Sequence, residues 1–203
     1  MYLNKKIIFS ILIMAILLEI FVPLLLSFKY DGYSHLFDTI STLGATDSPV
    51  GWQESLNLIA VGILYIIFSF GQKINFKSHS KYHKLYFLGI FLFGVGTIIA
   101  GIFPEDPKGL LEESISNKMH GIFSAIGFIF LIFNPLWATF IDEFKKYKSL
   151  NIILFILGIL TFILFMVSEN IEAGILQYTG LFQRINLLIL YSVLIINFKA
   201  MDE

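Results

Sequence analysis

Six long apolar runs, near 7–28, 55–72, 85–103, 118–140, 150–168 and 178–198, are separated by short stretches that collect the charged residues. Each run reaches the roughly 17 to 25 residues that a helix needs to cross the hydrocarbon core of a bilayer. They lack strand-like alternation, and lipid demands that every backbone group find a partner within its own segment, so they are predicted as helices. The pattern predicts an all-α fold, a polytopic bundle of six transmembrane helices in one domain over 1–203. Lys5, Lys6 and the run that follows superficially resemble a signal peptide. That run is too long for a signal h-region and lacks a small-x-small cleavage site, so it reads as a retained first span.

Residues 29–54 form the longest connection. Within it, Ser34 to Ala45 reads as a short amphipathic helix, with Leu36, Ile40 and Leu43 on one face, His35, Asp38, Ser41 and Thr42 on the other, and Gly44 as its stop. Such a helix is expected to lie along the extracytoplasmic interface, apolar side down.

Composition identifies the solvent. Of 203 residues, 57% are hydrophobic and 14% charged, against about a quarter charged in soluble domains. Mean hydropathy is +0.80. A net charge of -1 lacks the basic surface that nucleic acid requires. The absence of cysteine removes disulfides, thiolate catalysis and thiolate metal ligation, leaving His, Asp and Glu as metal donors. Lys5, Lys6, Lys73, Lys77, Lys81, Lys84, Lys145, Lys146, Lys148 and Lys199 fall on one side of the topology. Lys29, Lys108, Lys118 and Arg184 fall on or near the other. Ten cations against four predict cytoplasmic N- and C-termini in the plasma membrane. The opposite face is acidic, with Asp31, Asp38, Asp47, Glu54, Glu105, Asp106, Glu112, Glu113, Glu169 and Glu172.

Ionisable groups within a span mark candidate sites, because hydrocarbon penalises them unless they are paired. Glu19 in the first span and Arg184 in the sixth lie at similar depths and are expected to form an ion pair, shared with Asn186 or Gln183. An architectural clamp is the plainer reading of that pair. Nearer the water, His120 opens the fourth span, Asn57 lies one turn into the second, and Glu105 and Asp106 close the third at a Pro-Glu-Asp-Pro turn. His35, Asp38 and Ser41 hang over them from the interfacial segment. Carboxylates, an imidazole and an amide around one concavity suit general acid/base work or a divalent cation. Asp106 and Asp38 also suit a plainer role as backbone anchors. His79 and His83 have the i, i+4 spacing of metal ligands, but among lysines they read as a solvated loop. No nucleotide-binding glycine loop, zinc-protease helix, nucleophile elbow or haem-ligating His pair is present.

The segment Asp38-Thr-Ile-Ser-Thr-Leu-Gly-Ala45, followed by Pro49, Trp52 and Asn57, resembles the membrane-protein family catalogued as domain of unknown function 998. The likeness continues through Ala100-Gly-Ile-Phe-Pro-Glu-Asp-Pro107 to His120 and covers nearly the whole chain. It implies a six-span prokaryotic membrane protein without a settled activity. More distantly, the Ile40-Ser41-x-x-Gly44 element is similar to the Frag/DRAM/Sfk type of eukaryotic six-span protein, linked to lipid remodelling and membrane trafficking.

These features predict an outer-leaflet polar pocket that binds a lipid or amphiphile headgroup, with Asp38, Asp106 and His120 as the groups that act and His35, Ser41, Asn57, Glu105, Glu19 and Arg184 as ligand contacts. As an enzyme it would be a membrane-embedded hydrolase or transferase acting on lipid. The rivals are a small-molecule or ion transporter and a non-catalytic structural or immunity-type partner. A transporter needs polar residues through its full depth, whereas below Glu19 and Arg184 the runs read as almost wholly Ile, Leu and Phe.

Overall fold

The computed structural model describes residues 4–76, 80–107, 112–169 and 174–201. They form α1 (Lys5–Ser27), α2 (Ile40–Leu43), α3 (Gly51–Asn75), α4 (Lys81–Ile102), α5 (Ile115–Ile132), α6 (Asn134–Ala138), α7 (Lys148–Ser168) and α8 (Thr179–Ala200), with 3₁₀ turns at Asp142–Tyr147 and Gly174–Gln177. Among the described residues, six helical segments are long and apolar enough to span a membrane. The fourth is α5 and α6 together, interrupted where Asn134-Pro135 starts a new helix because proline supplies no N–H to continue the old one.

Lys5 Nζ donates to the Met201 carbonyl at 2.7 Å, which brings the beginning and end of the bundle to one end, here the terminal end. The connection 28–50 and the described residues 103–107 and 112–114 lie at the other, distal end. α4 packs between α3 and α5, α1 lies on α3, and α7 pairs with α8. The α3–α4 approach is close enough to require glycine at both Gly62 and Gly94, since a Cβ on either would meet the other's carbonyl oxygen at 2.5 to 2.8 Å. Leu12, Phe68, Ile90, Leu190 and Leu194 fill the middle of the core.

Two features differ from the sequence pattern. The amphipathic helix expected over 34–45 is reduced to the four residues of α2, because Thr39 is extended and caps it through its side chain to the Thr42 N–H. Ile40 and Leu43 are buried inside the bundle mouth. The terminal half is also less purely apolar than its runs suggest. Gln72, Asn134, Asn151 and Asn197 are buried there, and Asn151 and Asn197 exchange side-chain hydrogen bonds at 2.9 and 3.1 Å. Neutral amides become tolerable in this setting by bonding one another. His83 is likewise buried, between Ser80 and Glu143, and so is not a solvated loop residue; His79 lies outside the described residues.

Candidate functional site

At the distal end the 33–41 segment is tied to α8 by a set of directed bonds. Arg184 Nη1 donates to the carbonyls of His35 (2.8 Å), Asp38 (2.9 Å) and Gly180 (2.9 Å). Its Nη2 donates to the Tyr33 hydroxyl, which in turn donates to the Thr39 carbonyl at 2.9 Å. Burial pushes the Tyr33 phenol up to about 12 against the pull of Arg184, so it keeps the proton that this relay needs. The Gln183 Oε1 accepts the Ile40 N–H at 2.7 Å. Gly180 permits the fit, because a Cβ there would collide with the Asp38 carbonyl.

Arg184 and Glu19 do not form the ion pair expected of them. Arg184 is committed to loop carbonyls, and Glu19 accepts from the Tyr65 hydroxyl at 2.8 Å. Asn186 reaches α7 instead, donating to the Gly158 carbonyl and Thr161. Glu19 and Arg184 nevertheless line one groove from its two sides. α1 and α8 meet near their terminal ends, where Phe9 stacks on Phe198 at 5.4 Å, and they touch sparingly elsewhere. Between them lies a groove of about 220 Å³ lined by Glu19, Pro23, His35, Arg184 and Tyr191 among apolar neighbours. Its rim residues Ile20, Leu24 and Leu188 are exposed on the bundle's side. Pro23 lacks the N–H that would normally bond the Glu19 carbonyl, so the groove wall also carries a backbone acceptor deprived of its usual donor.

A second group surrounds His120, which is only 4% exposed. Its Nδ1 faces the carbonyls of Ala100 (3.2 Å) and Phe103 (2.9 Å). Carbonyls only accept, so Nδ1 carries a proton, and the neutral form of the ring has its lone pair at Nε2. Ser41 Oγ lies 3.0 Å from Nε2, and Glu105 Oε1 lies 3.5 Å from the same nitrogen. Ser41 also lines a small, partly open cavity of about 40 Å³ with Glu19, Ile40, Thr97, Ser124 and Gln183.

The third group is a distal cleft of about 250 Å³ that gathers Asp38, Glu105 and Asp106 with Asp31, Asp47 and Tyr33. The Asp38 carboxylate accepts the Ser34 N–H at 2.8 Å, and that of Asp106 accepts the Ser114 N–H at 2.7 Å. Both therefore brace backbone, and neither is hydrogen-bonded to His120. Among the described residues, no three His, Asp or Glu side chains are grouped to hold a metal ion. Asn57 sits beside a residue that the sequence pattern left in a loop. Glu54 falls in the first turn of α3, is wholly buried, and has the Asn57 Nδ2 3.4 Å from each carboxylate oxygen. The only sequence signal for it was a carboxylate at a helix start, where the free N–H groups favour negative charge.

The family model described as protein of unknown function (DUF998) matches residues 13–197, an interval that includes all three groups. The chain belongs to this family. Comparison with curated proteins and with solved structures gave no match. Membership in the DUF998 family thus supplies the architecture's kinship but no chemistry, which has to come from the groups themselves.

Proposed function

We propose that this membrane protein binds an anionic lipid or amphiphile in the groove between α1 and α8, in the outer leaflet of a prokaryotic plasma membrane, with both termini cytoplasmic. The observation that carries the reading is the groove's composition and position. Its rim is exposed on the flank of the bundle, where acyl chains lie, and its distal end holds Arg184, to which no carboxylate among the described residues is paired. A cation held by carbonyl dipoles and the neutral Tyr33 hydroxyl, in surroundings of low dielectric, favours a phosphate or carboxylate partner. His35 adds a neutral donor or acceptor beside it. The orientation rests on the ten cations that accompany the terminal end.

Transport is the second reading, favoured by the buried amides Gln72, Asn151 and Asn197 of the terminal half. Between them and Glu19 stand Leu12, Phe68, Leu190 and Leu194, all buried and apolar. This band argues against a polar path through the bundle.

Native mass spectrometry of the protein released from its own membrane tests the groove. An anionic lipid is expected to remain bound to the native chain, and Leu24→Trp with Leu188→Trp, which fill the rim, are expected to reduce its occupancy at least about tenfold. A bound fraction unchanged in the doubly substituted protein would defeat the proposal.

A further inference from the structure

We propose that Ser41 and His120 are a nucleophile and general base that cleave or transfer an acyl ester, the ester belonging to the amphiphile held in the groove. The inference rests on the groove reading for its substrate, and on separate geometry for its chemistry.

Three observations converge. His120 has its tautomer fixed from behind, since both neighbours of Nδ1 are carbonyl oxygens. This leaves Nε2 to accept a proton, and Ser41 Oγ is the hydroxyl 3.0 Å away. An oriented base against a hydroxyl is the arrangement that activates serine. The hydroxyl is also fixed in place: α2, which carries it, is held on one side by Gln183 and Arg184 and on the other through Thr46 N–H to the Glu105 carbonyl.

Next, Ser41 opens on a cavity with a suitable donor. Gln183 is 5% exposed, its Oε1 is assigned by the Ile40 N–H it accepts, and its NH₂ makes no hydrogen bond to another described residue. It lines the same cavity as Ser41 and is the group available to a carbonyl oxygen that becomes negative. Third, this cavity and the α1–α8 groove have Glu19, Ile40 and Leu187 in common. A chain lying in the groove therefore has its ester region next to the wall behind which Ser41 sits. The space of about 40 Å³ suits the ester group and not a whole headgroup.

The reaction balances without a redox partner. Ser41 oxygen adds to the ester carbonyl carbon while its proton passes to His120 Nε2, and Glu105, 3.5 Å from that nitrogen, steadies the imidazolium. The ester C–O bond breaks and Nε2–H returns the proton to the leaving alcohol, giving an acyl-Ser41. Water, or a second alcohol, then adds to the acyl carbon as His120 takes its proton. The Ser41 oxygen departs and recovers that proton, releasing a carboxylic acid or a new ester.

A long-chain alkyl fluorophosphonate, which phosphonylates activated serines, tests the pair on the full chain in nanodiscs of phosphatidylglycerol and phosphatidylethanolamine. Peptide mapping is expected to place the adduct on Ser41. Ser41→Ala is expected to abolish it and His120→Ala to slow it by about 100-fold or more. His120→Asn, which keeps a donor toward the Ala100 and Phe103 carbonyls, replaces the alanine variant if that does not fold. Folded native protein that leaves Ser41 unmodified overturns the inference, as does modification of the His120 variant at the native rate. Lipid retention, followed separately in Ser41→Ala, distinguishes the two readings. Modified Ser41 without retained lipid sinks the groove proposal and leaves the dyad, whereas retained lipid with inert Ser41 does the reverse.

Discussion

His35 shows how one side chain reports on the distal clamp. Its Nε2 is 2.9 Å from Ser27 Oγ, and its ring meets Tyr33 edge-on at 5.2 Å. Partial burial, and then the charge of Arg184, hold its pKa below the ordinary 6.5. In the unfolded chain the imidazole therefore takes up its proton at a higher pH than in the folded one. Between the two values the unfolded state binds more protons, so stability falls as the pH drops through and below 6.5. Thermal unfolding in detergent is expected to show that acid slope, and His35→Gln to flatten it; an identical slope in the variant would mean that another group sets it. At this scale the residue types were legible and their partners were not. His120 is marked by its place at the opening of the fourth span, whereas nothing in the position of Tyr33 along the chain marks it as the relay from Arg184 to Thr39. Glu54 was missed because α3 begins earlier, at Gly51, than the apolar run does.

Among the elements, the α3–α4 pair places Asn57 and Glu54 relative to the end of α4 at Ala100 and Phe103, whose carbonyls orient His120. Its closeness depends on small residues, because lipid offers helices no hydrophobic gain for associating and leaves packing to hold them. Gly94→Val would press a side chain into the Gly62 carbonyl, 2.8 Å from the position of a Cβ. Overpacking of this kind costs about 1 to 3 kcal/mol. A matching loss is expected in an SDS unfolding titration, while Gly121→Ala, with nothing within 4 Å of its Cβ, is expected to be neutral or slightly stabilising. Equal losses in the two variants would remove the packing explanation. Gly94 meets Gly62 of α3 and Gly96 meets the Phe123 carbonyl of α5, pairings that the order of residues along the chain does not state.

For the whole molecule, the lysine distribution makes a topological prediction that the cysteine-free chain suits well. Asp47→Cys is expected to react with a membrane-impermeant maleimide on intact cells, and Lys146→Cys only after permeabilisation. The reverse pattern would turn the bundle over and move the groove to the inner leaflet. The same scale explains why the groove escaped detection in the sequence. It is the space left where α1 and α8 fail to touch, and its walls come from residues more than 150 positions apart.

Span number, helical class and the abundance of ionisable groups in the distal connections are local matters. Each follows from apolar run length set against bilayer thickness, or from the expense of charge in hydrocarbon, and the sequence determines them alone. The partners of those groups are not local. Glu19 turned to Tyr65 and Arg184 to loop carbonyls, although opposite charge and equal depth matched the two with each other. Depth along a helix is written in the residue count, but rotation about its axis and the neighbour it faces are set by packing. Only the tertiary structure therefore decided that Ser41, from α2, would meet His120, from α5, at 3.0 Å.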